Sequence, residues 1–307
     1  GTSNSEIFTY SKDTFPANNE KNLINLHTVF ENVVANTSHS CKLQWHDDGS
    51  NLDVTLLNRR ITLVTCKSPF DTNFSPTLIS GLQYWFDASQ LTGLSNNDPV
   101  SQMTDFSGNG RHFVAGTSPN TQGQYKTSQL NGLPSLRFTH DGNAATQTNT
   151  TYIGPNFLGT YTEGEIFIVL KAAADPATSN LKGSYGAFGT DFNIVHWPFT
   201  DGTVYDDFGS TARKNTGNPS TNLATFNLYN ITTKANSWVS RINGTQFYST
   251  TSNTVAWSSA PQFGGNADTE GDCGLDGDIV EVILFGRSLN SGERQNVRNY
   301  ISVKYGV

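Results

Sequence analysis

The sequence predicts an all-β protein: an antiparallel β-sandwich closed by a C-terminal helix and preceded by a small α+β N-terminal unit. Three observations carry this reading. Charged residues make up only 15% of the 307 residues while aromatics reach 11%, the profile of short strands that bury rings and are joined by polar turns. From about residue 78, short apolar and aromatic runs recur between Gly, Asn, Asp, Ser and Pro turns at sandwich spacing. The closing segment instead repeats its apolar residues every three to four positions, as a helix does.

Residues 1–77 have a different pattern. NNEKNLINLHTVFENVVANTS places Leu23, Leu26, Val29, Phe30 and Val33 on one face of an amphipathic helix. CKLQW, LDVTLL and RITLVTC then alternate apolar with polar residues around HDDGSN and NRR, which reads as a three-stranded meander. Such a unit buries few apolar residues, so it is expected to lean on the larger domain or on other subunits. SPFDTNFSPT, from Ser68 to Thr77, has two prolines and no periodicity and is the expected linker.

The second expected domain, 78–307, contains LQYWFDA, LPSLRF, EIFIVLKA, YGAFG, ATFNLYNIT, SWVSRING, QFYST and DIVEVILFG as strand-like runs. LNSGERQNVRNYISVKYGV closes the chain. Asn290 can cap a helix there with Glu293 three residues on, and Val297, Tyr300, Ile301 and Tyr305 form its buried stripe.

Several function classes are disfavoured. A net charge of −7 and a pI near 5.3, with no run of Lys or Arg, argue against nucleic acid as a partner. No stretch approaches the roughly 18 apolar residues of a membrane span, so membrane insertion is not expected. The chain opens on Gly, which suggests trimming from something longer and leaves secretion open. Cys41, Cys66 and Cys273 show no metal spacing; they read as buried thiols, or as a Cys41–Cys66 bridge in an oxidising compartment. Sequons at Asn36, Asn73, Asn149, Asn230 and Asn243 are about as many as this Asn-, Ser- and Thr-rich composition yields by chance.

Two end motifs carry a resemblance. LQYWFDASQLTGL followed by VSQMTDFSGNGRHF (Leu82–Leu94, Val100–Phe113) resembles the opening of laminin-G-type, concanavalin A-like lectin/glucanase domains. GDIVEVILFGRSLNSGERQNVRNYISVKYGV (Gly277–Val307) is similar to the family's last core strand and terminal helix. Between them, HWPFTDGTVYDDFGSTARK (His196–Lys214) resembles the central hairpin of versions found in bacteriophage virion proteins. The resemblance implies a concanavalin A-like jelly roll over about 230 residues, a fold that hosts lectins, hydrolases, adhesion modules and passive scaffolds.

Candidate sites are of three kinds. Glucanases of this superfamily use a Glu-x-Asp-x-x-Glu strand that lines carboxylates along one face; EGDCGL and EGEIFI both fall short of it, so no catalytic residue is assigned. Structural Ca²⁺ is expected either at Asp105 and Asn109, where flanking glycines free the backbone carbonyls, or at Asp268, Glu270 and Asp272 in an acidic loop. The alternative is that these are solvated charges and that Asp105 caps its own turn. Glycan binding needs an aromatic platform beside planar polar groups, and His196, Trp197, Asp201, Tyr205, Asp206 and Asp207 supply both. The competing reading makes Trp197 and Tyr205 cross-strand packing partners and the aspartates turn formers. Trp85, Trp238 and Trp257 are expected in the core, and the remaining histidines are assigned no role.

The function that the resemblance implies is a non-enzymatic virion structural or decoration protein of a bacteriophage, displaying a lectin-like sandwich at the virion surface. Residues 1–77 would bind other virion subunits or oligomerise the chain, and the sandwich would meet cell-surface or environmental polysaccharide. The alternatives are a secreted carbohydrate-binding module of a longer adhesin or polysaccharide-degrading enzyme, and a glycoside hydrolase.

Overall fold

The computed structural model describes residues 74–115, 122–141, 149–191, 195–265 and 273–307. The helix, meander, linker and Cys41–Cys66 bridge expected within residues 1–77 lie almost wholly outside the described residues. A short 3-10 turn, Pro76–Leu78, is capped by the Ser75 hydroxyl and leads into the first strand.

In chain order the first strands are β1 (Leu82–Asp87), β2 (Pro99–Val100), β3 (Gln102–Met103), β4 (Phe113–Ala115), β5 (Gly123–Leu130), β6 (Leu133–Phe138), β7 (Tyr152–Ile153) and β8 (Glu163–Ala172). They are followed by β9 (Gly186–Ala187), β10 (Val204–Asp206), β11 (Lys214–Gly217), β12 (Asn227–Lys234), β13 (Ser237–Ile242), β14 (Thr245–Thr250), β15 (Gln262–Phe263), β16 (Gly277–Phe285) and the helix α1 (Ser291–Tyr305). Among the described residues, a nine-stranded sheet runs β14-β13-β12-β8-β16-β6-β5-β2, with β1 also pairing to β16. A five-stranded sheet, β3-β4-β7-β15-β9, faces it, and β10-β11 form a separate ribbon. The described residues therefore form an all-β sandwich with one C-terminal helix, as the composition and periodicity predict.

The central strands β8 and β16 are buried on both faces, which is why they read as nearly continuous apolar runs. Ile166, Ile168 and Leu170 point into the core between the sheets. Phe167 and Val169, one residue out of step, point to the outer face, where Val297, Ile301 and Tyr305 of α1 cover them. Each such side chain contributes about 1.5–3 kcal/mol by leaving water. The helix begins at a capping box between Asn290 and Glu293 and ends at Gly306 in the left-handed region. Tyr300, expected in its buried stripe, is only half-buried.

A bulge in β16 decides where one charge goes. The register against β8 slips between Ile279 and Glu281, so Val280 and Glu281 both face the helix before alternation resumes at Val282. Glu281 there accepts from the Trp85 indole at 2.7 Å, Tyr300 at 2.9 Å, Tyr305 at 2.6 Å and Lys304 at 2.9 Å. The two end motifs that carry the resemblance thus meet in one buried polar cluster.

Candidate functional site

The hairpin His196–Lys214 is built from its turn outward. Phe199 N–H donates to Thr203 O at 2.8 Å, and the Asp201 carboxylate accepts the Thr203 N–H at 2.8 Å, which closes the turn and leaves Asp201 exposed. His196 pairs with Tyr205 across it, and β10 continues into the ribbon with β11. Alternation then sends Trp197, Val204 and Phe208 into the core between the sheets.

This orientation corrects the platform expected from the sequence. Trp197 is fully buried, its ring 4.3 Å from that of Tyr229, and it presents no face on which a sugar could stack. Asp206 is buried too, accepting from the Tyr185 hydroxyl at 2.6 Å and Phe208 N–H at 2.8 Å. Burial outweighs those bonds and pushes its carboxyl up to about 6. Asp207 is raised well above the carboxylate range by burial, then by Asp206 and Asp191. Burial, with Arg213 nearby, pushes the His196 imidazole down to about 4, so it is neutral at pH 7.

What remains at the surface is a different group. Tyr205 and Phe199 are half-buried, their rings 5.9 Å apart, and the Arg213 guanidinium lies 4.6 Å over the Tyr205 ring. Exposed Asp201 stands at the adjoining tip. Of the six residues singled out from sequence, the fold leaves Asp201 and Tyr205 accessible and encloses His196, Trp197, Asp206 and Asp207. Sequence reasoning missed Phe199 and Arg213, although both lie in the quoted stretch; an aromatic beside a turn and an Arg facing an aromatic across a ribbon were the available signals.

The Asp105 carboxylate is engaged within its own loop. One Asp105 carboxylate oxygen accepts the N–H groups of Trp85 at 3.1 Å and Ser107 at 2.8 Å, and the other accepts that of Arg111 at 2.9 Å. The Asn109 amide donates to Leu82 O at 3.0 Å and Gln83 O at 3.2 Å, while the Arg111 guanidinium reaches Gln83 as well. Both Asp105 oxygens are engaged by backbone donors of the loop and of β1. Asp105 thus organises its own turn and ties it to β1. Asp268, Glu270 and Asp272 lie outside the described residues, and among the described residues no three His, Cys, Asp or Glu side chains are grouped as a metal would require.

The other buried carboxylates are engaged by the fold. Glu165 takes two hydrogen bonds from Arg294, at 2.6 and 2.9 Å, and Asp278 is paired with Arg137 and Lys171. Cys273 is buried with its thiol toward Asn180 O. Trp238 and Trp257 are core residues as expected, with indole N–H groups bonded to Phe208 O and Tyr161 O.

No family model matches the chain, and no curated protein matches it. Among solved structures it is similar to Trypanosoma rangeli sialidase in complex with sialic acid, at 13% identity and a TM-score of 0.43, covering 74% of this chain and 33% of that one. It is also similar to domain 4 of AbnA, a GH43 extracellular arabinanase from Geobacillus stearothermophilus, in complex with arabinotriose, at 12% identity and a TM-score of 0.48, covering 71% and 97%. A third is the binding domain of botulinum neurotoxin serotype D, at 15% identity and a TM-score of 0.43, covering 70% and 51%. The chain spans about a third of the length of the sialidase chains it matches.

Proposed function

We propose that residues 78–307 are a non-enzymatic, lectin-like display domain of a virion, of the kind bacteriophages carry, and that residues 1–77 attach it to other virion subunits. In this reading the sandwich faces outward and meets cell-surface or environmental polysaccharide. The observation that supports glycan contact is the hairpin surface, where the half-buried rings of Tyr205 and Phe199, the stacked Arg213 and exposed Asp201 combine ring area with planar polar groups. The non-enzymatic part is supported by four buried acids that the fold engages, Asp87, Glu165, Asp278 and Glu281, each held by a cation, and by the enclosure of two others, Asp206 and Asp207, in the core.

A glycan array tests the reading, run on the intact chain and on Tyr205→Ala. Binding that falls at least tenfold in the variant supports it; no binding at millimolar sugar removes the lectin-like part. Release of reducing ends from any bound polysaccharide overturns the non-enzymatic part. Immunogold labelling of particles tests the location, which fails if label is absent from the particle surface.

A further inference from the structure

On the outer face of the nine-stranded sheet, α1 covers β16 and β8 but leaves an opening over β12 and β13. Here the fold forms a cleft of about 170 Å³. Its walls carry Arg241 from β13, Arg294 and Arg298 from α1, the Asn230 amide from β12, and Gln295 and Ser291 from the first turns of α1. Phe167 and Leu228 form an apolar floor. None of this belongs to the hairpin, which packs over the opposite, inner face through Trp197 and Tyr229.

The charge in the cleft is unbalanced. Among the described residues, the one carboxylate hydrogen-bonded to these three arginines is Glu165, and Arg294 takes both of its oxygens. Arg241 donates instead to neutral acceptors, Asn230 Oδ1 at 3.1 Å and Thr232 Oγ1 at 3.0 Å. Burial and the nearby Arg294 hold the Arg241 guanidinium below its usual range, as expected where like charges are close. Arg298 is exposed and projects over Gly244, the close approach that a Cβ there would block. In the cleft, two guanidinium groups, those of Arg241 and Arg298, therefore stand without a hydrogen-bonded carboxylate among the described residues, in a chain whose net charge is −7.

The size of the space narrows the ligand. It far exceeds the roughly 10–15 Å³ that a single water needs, so it is larger than a bare oxyanion requires. Guanidinium groups recognise oxyanions through paired donors, the exposed Gln295 amide and Ser291 hydroxyl suit sugar hydroxyls, and the apolar floor suits the C–H face of a ring.

We propose that this cleft binds one sugar residue bearing an oxyanion, a carboxylate or a sulfate ester, with Arg241 and Arg298 taking the charge. Arg294 is a positioning residue, since its own charge is engaged by Glu165. The site is independent of the hairpin surface and stands or falls separately from it.

Isothermal titration calorimetry of the full chain tests this with glucuronate, glucose 6-sulfate, glucose and inorganic sulfate. Saturable binding of glucuronate or of glucose 6-sulfate is expected, and which of the two binds identifies the oxyanion. Affinity should fall at least tenfold in Arg241→Gln and in Arg298→Gln and be unchanged in Tyr205→Ala. Arg298→Gln alters an exposed side chain, so it keeps the test open if Arg241→Gln folds poorly. Binding of inorganic sulfate alone, equal binding of glucose, no saturable binding, or affinity that Arg298→Gln leaves unchanged overturns the proposal.

Discussion

Lys304 Nζ meets the Asp87 carboxylate at 2.5 Å although the two residues are 217 positions apart. The same ammonium reaches Glu281 at 2.9 Å, so one cation near the end of the chain joins the first strand to the last. Burial works against ionisation of Asp87, but Lys304 and the Ser89 and Gln90 donors outweigh it and hold the carboxyl below its usual value. Glu281 shares Lys304 yet is raised, because its burial is complete and the Asp87 charge adds to it.

Replacing Lys304 with Met should therefore destabilise the protein strongly, since two buried carboxylates would lose their cation. Breaking a buried pair typically costs about 3–5 kcal/mol, and the partial exposure of Lys304 reduces the expected loss to about 2–4 kcal/mol. Urea unfolding measures it. A change below about 0.5 kcal/mol would show that the cluster does not hold the ends together.

Asp206 predicts a pH dependence. Its folded carboxyl sits at about 6 against an ordinary 3.8, so the folded state binds the proton more tightly than the unfolded chain. The resulting stabilisation is complete below about 3.8 and is lost as pH rises through about 6. At about 1.4 kcal/mol per pH unit, the loss is on the order of 3 kcal/mol. Asp206→Asn should flatten the stability profile between about pH 4 and 7, measured by thermal melts; an unaltered slope refutes the assignment.

Gly209 combines a φ of +57° with close neighbours: an added Cβ would meet Thr233 Cγ2 at 2.5 Å and Trp257 Cη2 at 2.6 Å. Gly209→Ala should cost more than the roughly 1 kcal/mol of a left-handed residue alone, because the indole must also move. Chemical denaturation reads this, and a neutral result would mean that Trp257 yields freely.

Trp197 and Tyr205 should separate folding from binding. Trp197→Ala empties a core position and is expected to lower stability by about 3–5 kcal/mol. Tyr205→Ala should change stability far less while removing ring area from the hairpin surface. Parallel melts and glycan binding distinguish them; equal destabilisation by both would place Tyr205 in the core as well.

The long elements were legible in the sequence. LPSLRF coincides with β6, DIVEVILFG lies one residue from β16, and Asn290 and Glu293 cap α1 as their spacing indicates. β5 escaped notice because GQYKTSQL is mostly polar and half-exposed. The strands of the five-stranded sheet run two or three residues each, too short for alternation to show. The arginine cleft was invisible for another reason: only Arg294 and Arg298 are close in sequence, while Arg241 and Asn230 come from separate strands.

Composition, turn chemistry and periodicity by themselves determined an all-β sandwich with a capped C-terminal helix, because these depend on residues a few positions apart. Tertiary structure alone decided which side chains of the hairpin and of β16 turn inward. Trp197 lost its role as a platform because it packs on Tyr229, and Glu281 joined Lys304 because a bulge turned it toward the helix. Both outcomes depend on partners distant in the chain, and a local pattern carries no record of them.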